Sequence, residues 1–163
     1  MTRLPIILGV DPGSRITGWG IVQARGRQLV SLGHGTIRAG KNQDLAMRMG
    51  VIASGLQEVI EEHEPTDAAI EDVFVHRDPR AALKLGQARG AALVALSQAN
   101  LPVTAYAPAV VKRAVTGSGR ADKDQVGHMV RALLGLSHPV KGDAADALAV
   151  AICHVRGLGR PRR

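Results

Sequence analysis

The period of the hydrophobic pattern changes several times along the chain. Residues 6–10 form a short apolar run ended by Asp11-Pro12-Gly13, which predicts a buried strand and then a turn. Residues 17–23 and 29–37 are rich in β-branched side chains and flank Arg25-Gly26-Arg27, the pattern of antiparallel strands joined by a tight connection. Over 44–62 the period lengthens. Leu45, Met49, Ile52, Leu56 and Val59 recur at helical spacing, and Pro65 stops the helix. Residues 68–75 read as a fourth strand. Asp78-Pro79 combines an N-cap side chain with proline at the first helical position, so a helix starts there and runs to about 99, where Asn100 and Pro102 end it. A short strand at 102–106 and helices near 109–116, 122–134 and 143–155 complete the pattern. Three antiparallel strands followed by alternating strand and helix units predict an α/β fold, with a mixed sheet and helices on both faces.

Length and composition narrow the class. At 163 residues the chain fits one domain, with the fold expected over 1–155 and a basic, mobile tail over 156–163. A single cysteine, Cys153, excludes an internal disulfide framework and zinc sites built from several thiolates, and is expected to be a small buried side chain. Aromatic residues are 2% of the chain, so the core must be aliphatic and no row of stacking rings is available for single-stranded nucleic acid. No apolar run approaches the ~18 residues of a membrane span. The first apolar run lacks the features of a secretory signal, so a cytoplasmic setting is expected. The net charge is +7, but residues 1–76 carry −2 and residues 77–163 carry +9. The second half therefore supplies a positive face, and a polyanion is the first partner to consider.

Four carboxylates stand where they are expensive. Asp11 ends the first apolar strand, Glu71 follows Ala68-Ala69-Ile70, and Asp143 and Asp146 share a face of a helix that is apolar nearly all round. Asp11, Glu71 and Asp143 have ordinary readings as turn residue, ion-pair member and helix cap, whereas Asp146 sits inside the apolar helix and is harder to dismiss. Yet their own segments carry no lysine or arginine, and unpaired buried carboxylates cost several kcal/mol. A hard divalent cation is the other solution, and four carboxylates from three segments match a two-metal site for phosphoryl chemistry. Glu58, Glu61, Glu62 and Glu64 are instead spaced as a solvated helix end.

Lys112 and Lys123 flank the Gly117-Ser118-Gly119 loop, where they can anchor phosphate or neutralise charge developing during its cleavage. Phe74, the only phenylalanine, leads from the fourth strand towards Arg77; it is either a core side chain or a wedge against unstacked bases. Arg77, Arg80, Lys84, Arg89, Lys112, Arg113, Arg120 and Lys123 are the candidate contacts of the basic half to a polyanion's phosphates. Ala82, Gly86 and Gly90 recur at steps of four on the helix over 79–99. Glycine there costs ~1 kcal/mol against alanine, so a close approach by the sheet or a second subunit is expected.

The motifs Ile7-Leu8-Gly9-Val10-Asp11-Pro12-Gly13-Ser14-Arg15, Ile70-Glu71-Asp72-Val73-Phe74, Ala82-Leu83-Lys84-Leu85-Gly86-Gln87-Ala88-Arg89-Gly90 and Asp143-Ala144-Ala145-Asp146-Ala147-Leu148-Ala149 resemble, in that order, segments of the RuvC Holliday junction resolvases. The resemblance covers roughly 4–155. It implies an RNase H-like fold and a site of two Mg²⁺ or Mn²⁺ ions held by Asp11, Glu71, Asp143 and Asp146. It also implies functional roles for Lys112 and Lys123, and base packing by Phe74. It further implies a homodimer that nicks two DNA strands of like polarity at a four-way junction, leaving ligatable 5′-phosphate and 3′-hydroxyl ends, in company with the branch-migration proteins RuvA and RuvB. Three rival readings remain: a sugar-kinase or actin-like phosphate binder, suggested by Gly9-Val10-Asp11-Pro12-Gly13 with Gly18 and Gly20; a non-catalytic junction binder; and a nuclease of RNA–DNA hybrids.

Overall fold

The computed structural model describes residues 3–41, 43–72 and 78–158. Strands β1 (Ile6–Asp11), β2 (Ile16–Arg25) and β3 (Gln28–Arg38) form an antiparallel meander. Helix α1 (Leu45–His63), strand β4 (Asp67–Glu71), helix α2 (Pro79–Gln98) and strand β5 (Val103–Tyr106) follow. Helices α3 (Pro108–Thr116), α4 (Lys123–Leu134) and α5 (Gly142–Leu158) end the described chain. The sheet order is β3-β2-β1-β4-β5, with β4 parallel to β1 and β5 parallel to β4. This is the α/β mixed sheet expected from the sequence.

Local chemistry accounts for the boundaries. The Asp44 carboxylate accepts from the Met47 amide at the start of α1, and the Asp78 carboxylate caps α2 with Pro79 in its first turn. At α4, Asp122 and Gln125 form a reciprocal capping box. Gly26 supplies a φ of 62° at the first position of the β2–β3 turn, a conformation that favours glycine.

Alternation along the strands sorts side chains into two layers. Ile6, Leu8, Val10, Ile21, Ala68 and Ile70 pack with buried residues of α1 and α2. Ile7, Val22 and Ala69 face the other way, onto α3, α4 and α5. Residues two apart share a face, so Asp11 lies with Ile7 and Glu71 lies with Ala69, both on the α5 side. The core is aliphatic, and Cys153 is buried in it.

Three expectations need correction. The fourth strand, expected over 68–75, ends at Glu71 with Asp72 outside it, and the rest of that run, 73–75, lies outside the described residues. Leu45 is 41% exposed and lies off the buried stripe of Ile52, Leu56 and Val59. The last helix continues to Leu158, three residues into the segment expected to be a mobile tail, and Arg156 donates to the Ala114 carbonyl. Residues 159–163 lie outside the described residues.

Candidate active site

The site forms at the carboxyl ends of β1 and β4, where the sheet switches from antiparallel to parallel neighbours. Open α/β sheets bind ligands at such switch points. The register pairs Val10 with Ile70, so Asp11 and Glu71 stand side by side one residue further on. Across from them, the first turns of α5 present Asp143 and Asp146. Asp143 stands inside that first turn, where the positive end of the helix favours a carboxylate.

Helix and sheet meet this closely because the strip beneath α5 has no side chains. A Cβ added at Gly9 would lie 2.1 Å from the Ala147 carbonyl oxygen, and one at Gly18 would lie 2.0 Å from the Asp143 carbonyl oxygen. At Gly20 it would meet the Leu148 side chain at 2.6 Å. Gly9 pairs with Gly20, and Asp11 with Gly18, so the three glycines form one patch. The glycines that suggested a phosphate loop are packing positions that bring α5 down onto Asp11.

The result is a dense carboxylate cluster. One ligand oxygen from each of Asp11, Asp143 and Asp146 lies within 4.8 Å of the others. Burial pushes the Asp11 carboxyl up to about 8, helped by the charges of Asp146, Glu71 and Asp143 and by a hydrogen bond with Asp143. Glu71 is raised by burial first and by Asp146 second, with Lys112 and Lys123 pulling the other way. Asp146 is raised by burial, against the opposing pull of Lys123. Lys123 Nζ stands 3.5 Å from Asp146 Oδ2, and that charge raises its own pKa. Oxygen-only donors this close fit a hard divalent cation, which would relieve a repulsion that protons otherwise have to offset.

The remaining expected site residues scatter more widely. Lys112 on α3 is half-buried and close enough to act on Glu71 and Asp146. Arg80 and Lys84 are exposed on α2, Arg113 on α3 and Arg120 in the α3–α4 loop. Arg89 instead turns towards the end of β4. Its Nε lies 3.5 Å from the Glu71 carbonyl oxygen and its Nη2 3.4 Å from Asp72 Oδ1, so it braces the strand end that carries Glu71. Phe74 and Arg77 lie outside the described residues. Gly86 and Gly90 have nothing within 4 Å of an added Cβ, so the small-residue stripe of α2 faces neither the sheet nor another helix among the described residues. Sequence reasoning missed the bracing by Arg89 and the role of Gly9. The signal for Gly9 was present, a glycine two residues before Asp11 and hence on its face.

The family model for the crossover junction endodeoxyribonuclease RuvC matches residues 7–154. The crossover junction endodeoxyribonuclease RuvC of Halorhodospira halophila is 56% identical over 161 residues, covering 99% of this chain and 94% of that protein. The protein of the same description from Shewanella loihica is 54% identical over 151 residues, covering 93% of this chain and 87% of the other. Among solved structures, Thermus thermophilus RuvC in complex with a Holliday junction substrate superimposes with a TM-score of 0.87 at 36% identity, covering 94% of this chain and 93% of that one. A match that spans nearly the whole chain and brings its carboxylates to one spot settles the family: this chain belongs to the RuvC family of crossover junction endodeoxyribonucleases.

Proposed function

We propose that this chain is an endodeoxyribonuclease that resolves four-way (Holliday) DNA junctions in recombination and repair, by paired, metal-dependent hydrolysis that leaves ligatable 5′-phosphate and 3′-hydroxyl ends. The observation that carries the reading is the convergence of Asp11, Asp143 and Asp146 beside Glu71 in a chain with full-length relatives of that activity.

Asp11, Glu71, Asp143 and Asp146 would hold the divalent cations, two Mg²⁺ or Mn²⁺ ions per site. Bound there, the cations would polarise the attacking water and stabilise the leaving 3′ oxygen. Asp11 must give up its proton to bind them, which the neighbouring Lys123 and Lys112 favour by offsetting the cluster's charge. The same lysines then neutralise charge that builds on the phosphate as the bond breaks. Arg77, Arg80, Lys84, Arg113 and Arg120 contact the DNA backbone, and Phe74 packs on junction bases. Arg89 holds the strand end that carries Glu71.

A single site cuts one strand, so resolution calls for two. The outward stripe of α2, with Gly86 and Gly90 between Leu83 (63% exposed) and Val94 (53% exposed), supports a homodimer through this helix. RuvA and RuvB remain the proposed branch-migration partners. Among the described residues no helix is long and apolar enough to cross a membrane.

The test is a synthetic four-way junction incubated with and without Mg²⁺ and then with ligase. The wild-type chain nicks it in a cation-dependent manner and ligase reseals the products. Asp146→Asn lowers nicking by at least about a thousandfold, roughly 4 kcal/mol of transition-state stabilisation, while junction binding survives. Fast residual nicking by that variant in Mg²⁺ would refute the assignment.

A further inference from the structure

A second concave feature adjoins the carboxylate cluster. Between α4 and the loop that leads into α5 lies a cleft of about 400 Å³, and it shares Lys123 and Asp146 with the site. One wall is a single face of α4, carrying Lys123, Gly127 and Arg131 at steps of four, with His128 beside them. Lys141 lines the cleft from the loop before α5.

Two observations give the cleft a ligand class. The first is a preorganised cation. Arg131 donates from Nε to the Leu136 carbonyl at 3.2 Å and from Nη2 to the Ser137 carbonyl at 3.0 Å. Those bonds hold the guanidinium in one orientation while its remaining N–H groups stay available. With Asp146 engaged in the cation cluster, Lys123, Arg131 and Lys141 outnumber Asp124 at the rim. The second is Gly127. It lies mid-helix, and an added Cβ would meet nothing within 4 Å. Glycine there costs the helix about 1 kcal/mol against alanine, and no packing among the described residues requires it. It lines the cleft, where a side chain would take up space.

We propose that this cleft holds a backbone phosphate of the DNA strand next to the scissile one, with Lys141 and Arg131 as its contacts and Gly127 as the notch that admits it. The inference rests on the nuclease reading and deepens it: the cut strand leaves the carboxylate cluster along α4.

The test measures junction binding in EDTA across a salt series, and nicking in Mg²⁺, for Lys141→Ala, Gly127→Leu and the control Arg25→Ala. Arg25 is an exposed cation on the β2–β3 hairpin, at the end of the sheet away from Asp11. Lys141→Ala makes the log–log salt dependence of binding about one unit shallower, as loss of one phosphate contact requires. Arg25→Ala leaves the slope unchanged. Gly127→Leu keeps or raises the melting temperature, yet raises the KM for the junction by about tenfold, the order expected for one lost charge-assisted contact. Equal slopes for Lys141→Ala and Arg25→Ala, or a wild-type KM for Gly127→Leu, would overturn the cleft. The binding arm needs no catalysis. A wild-type chain that binds junctions without nicking them therefore refutes the nuclease reading, while the phosphate cleft still stands or falls on the salt slopes alone.

Discussion

Two sets of glycines in this molecule look alike in sequence and do opposite things. Gly9, Gly18 and Gly20 on β1 and β2 are filled from above, with atoms of α5 between 2.0 and 2.6 Å from where a Cβ would sit. Gly86 and Gly90 on α2 face open space. The first set closes the chain upon itself and so brings Asp143 and Asp146 to Asp11. The second leaves a helix face for another surface. A glycine's purpose is therefore read from what approaches it, and sequence spacing alone does not say whether that neighbour belongs to the same chain.

The largest effect expected is at the closed set. Gly18→Ala forces the Asp143 backbone away from the sheet and destabilises the chain by about 3 kcal/mol, the upper end for overpacking. Cation binding at the cluster is lost with it. Calorimetry with and without Mg²⁺ measures both, and a variant that melts like wild type would break the comparison at its stronger side.

The next effect is electrostatic. Below pH ~4 the Asp11 carboxyl is protonated whether the chain is folded or not. Between there and about 8 the folded chain keeps a proton that the unfolded chain gives up, so metal-free stability falls as pH rises through that window and levels above it. Cation uptake expels that proton, so apparent affinity rises about tenfold per pH unit and flattens above about 8. Asp11→Asn removes the stability trend that Asp11 contributes. Melting curves in EDTA and Mn²⁺ titrations across pH 5–9 would show it, and a metal-free stability that climbs over this range would contradict the packed cluster.

The smallest effect on folding is at the open set. Gly86→Leu meets nothing inside the chain and gains about 0.5–1 kcal/mol of helix propensity. Its circular dichroism is that of wild type, while in sedimentation the proposed homodimer gives way to a monomer. A dimer that persists would move the subunit interface elsewhere.

The sequence carried much of this. The meander, the cap at Asp78 and the four carboxylates were legible because each is a local signal: alternation, a capping side chain just before a proline, a charge in an apolar run. What was hidden depends on contacts between distant segments. Gly18 and Gly20 carried the flavour of a phosphate loop because their partner, α5, enters more than a hundred residues later. Arg89 read as a DNA contact because nothing local indicates that the helix passes the end of β4. The end of β4 at Glu71 was blurred by the β-prone Val73-Phe74-Val75 run that follows it.

Beneath α5, at Gly9 and Gly18, main chain rests on main chain, so no aliphatic side chain's size sets the gap between the strand carboxylate and the helical pair. Exchanges of one branched residue for another in the layer of α1 and α2 can reshape that half of the interior and leave the cutting geometry where it was. The molecule thereby separates the freedom to drift from the obligation to stay put, one on each side of a single sheet.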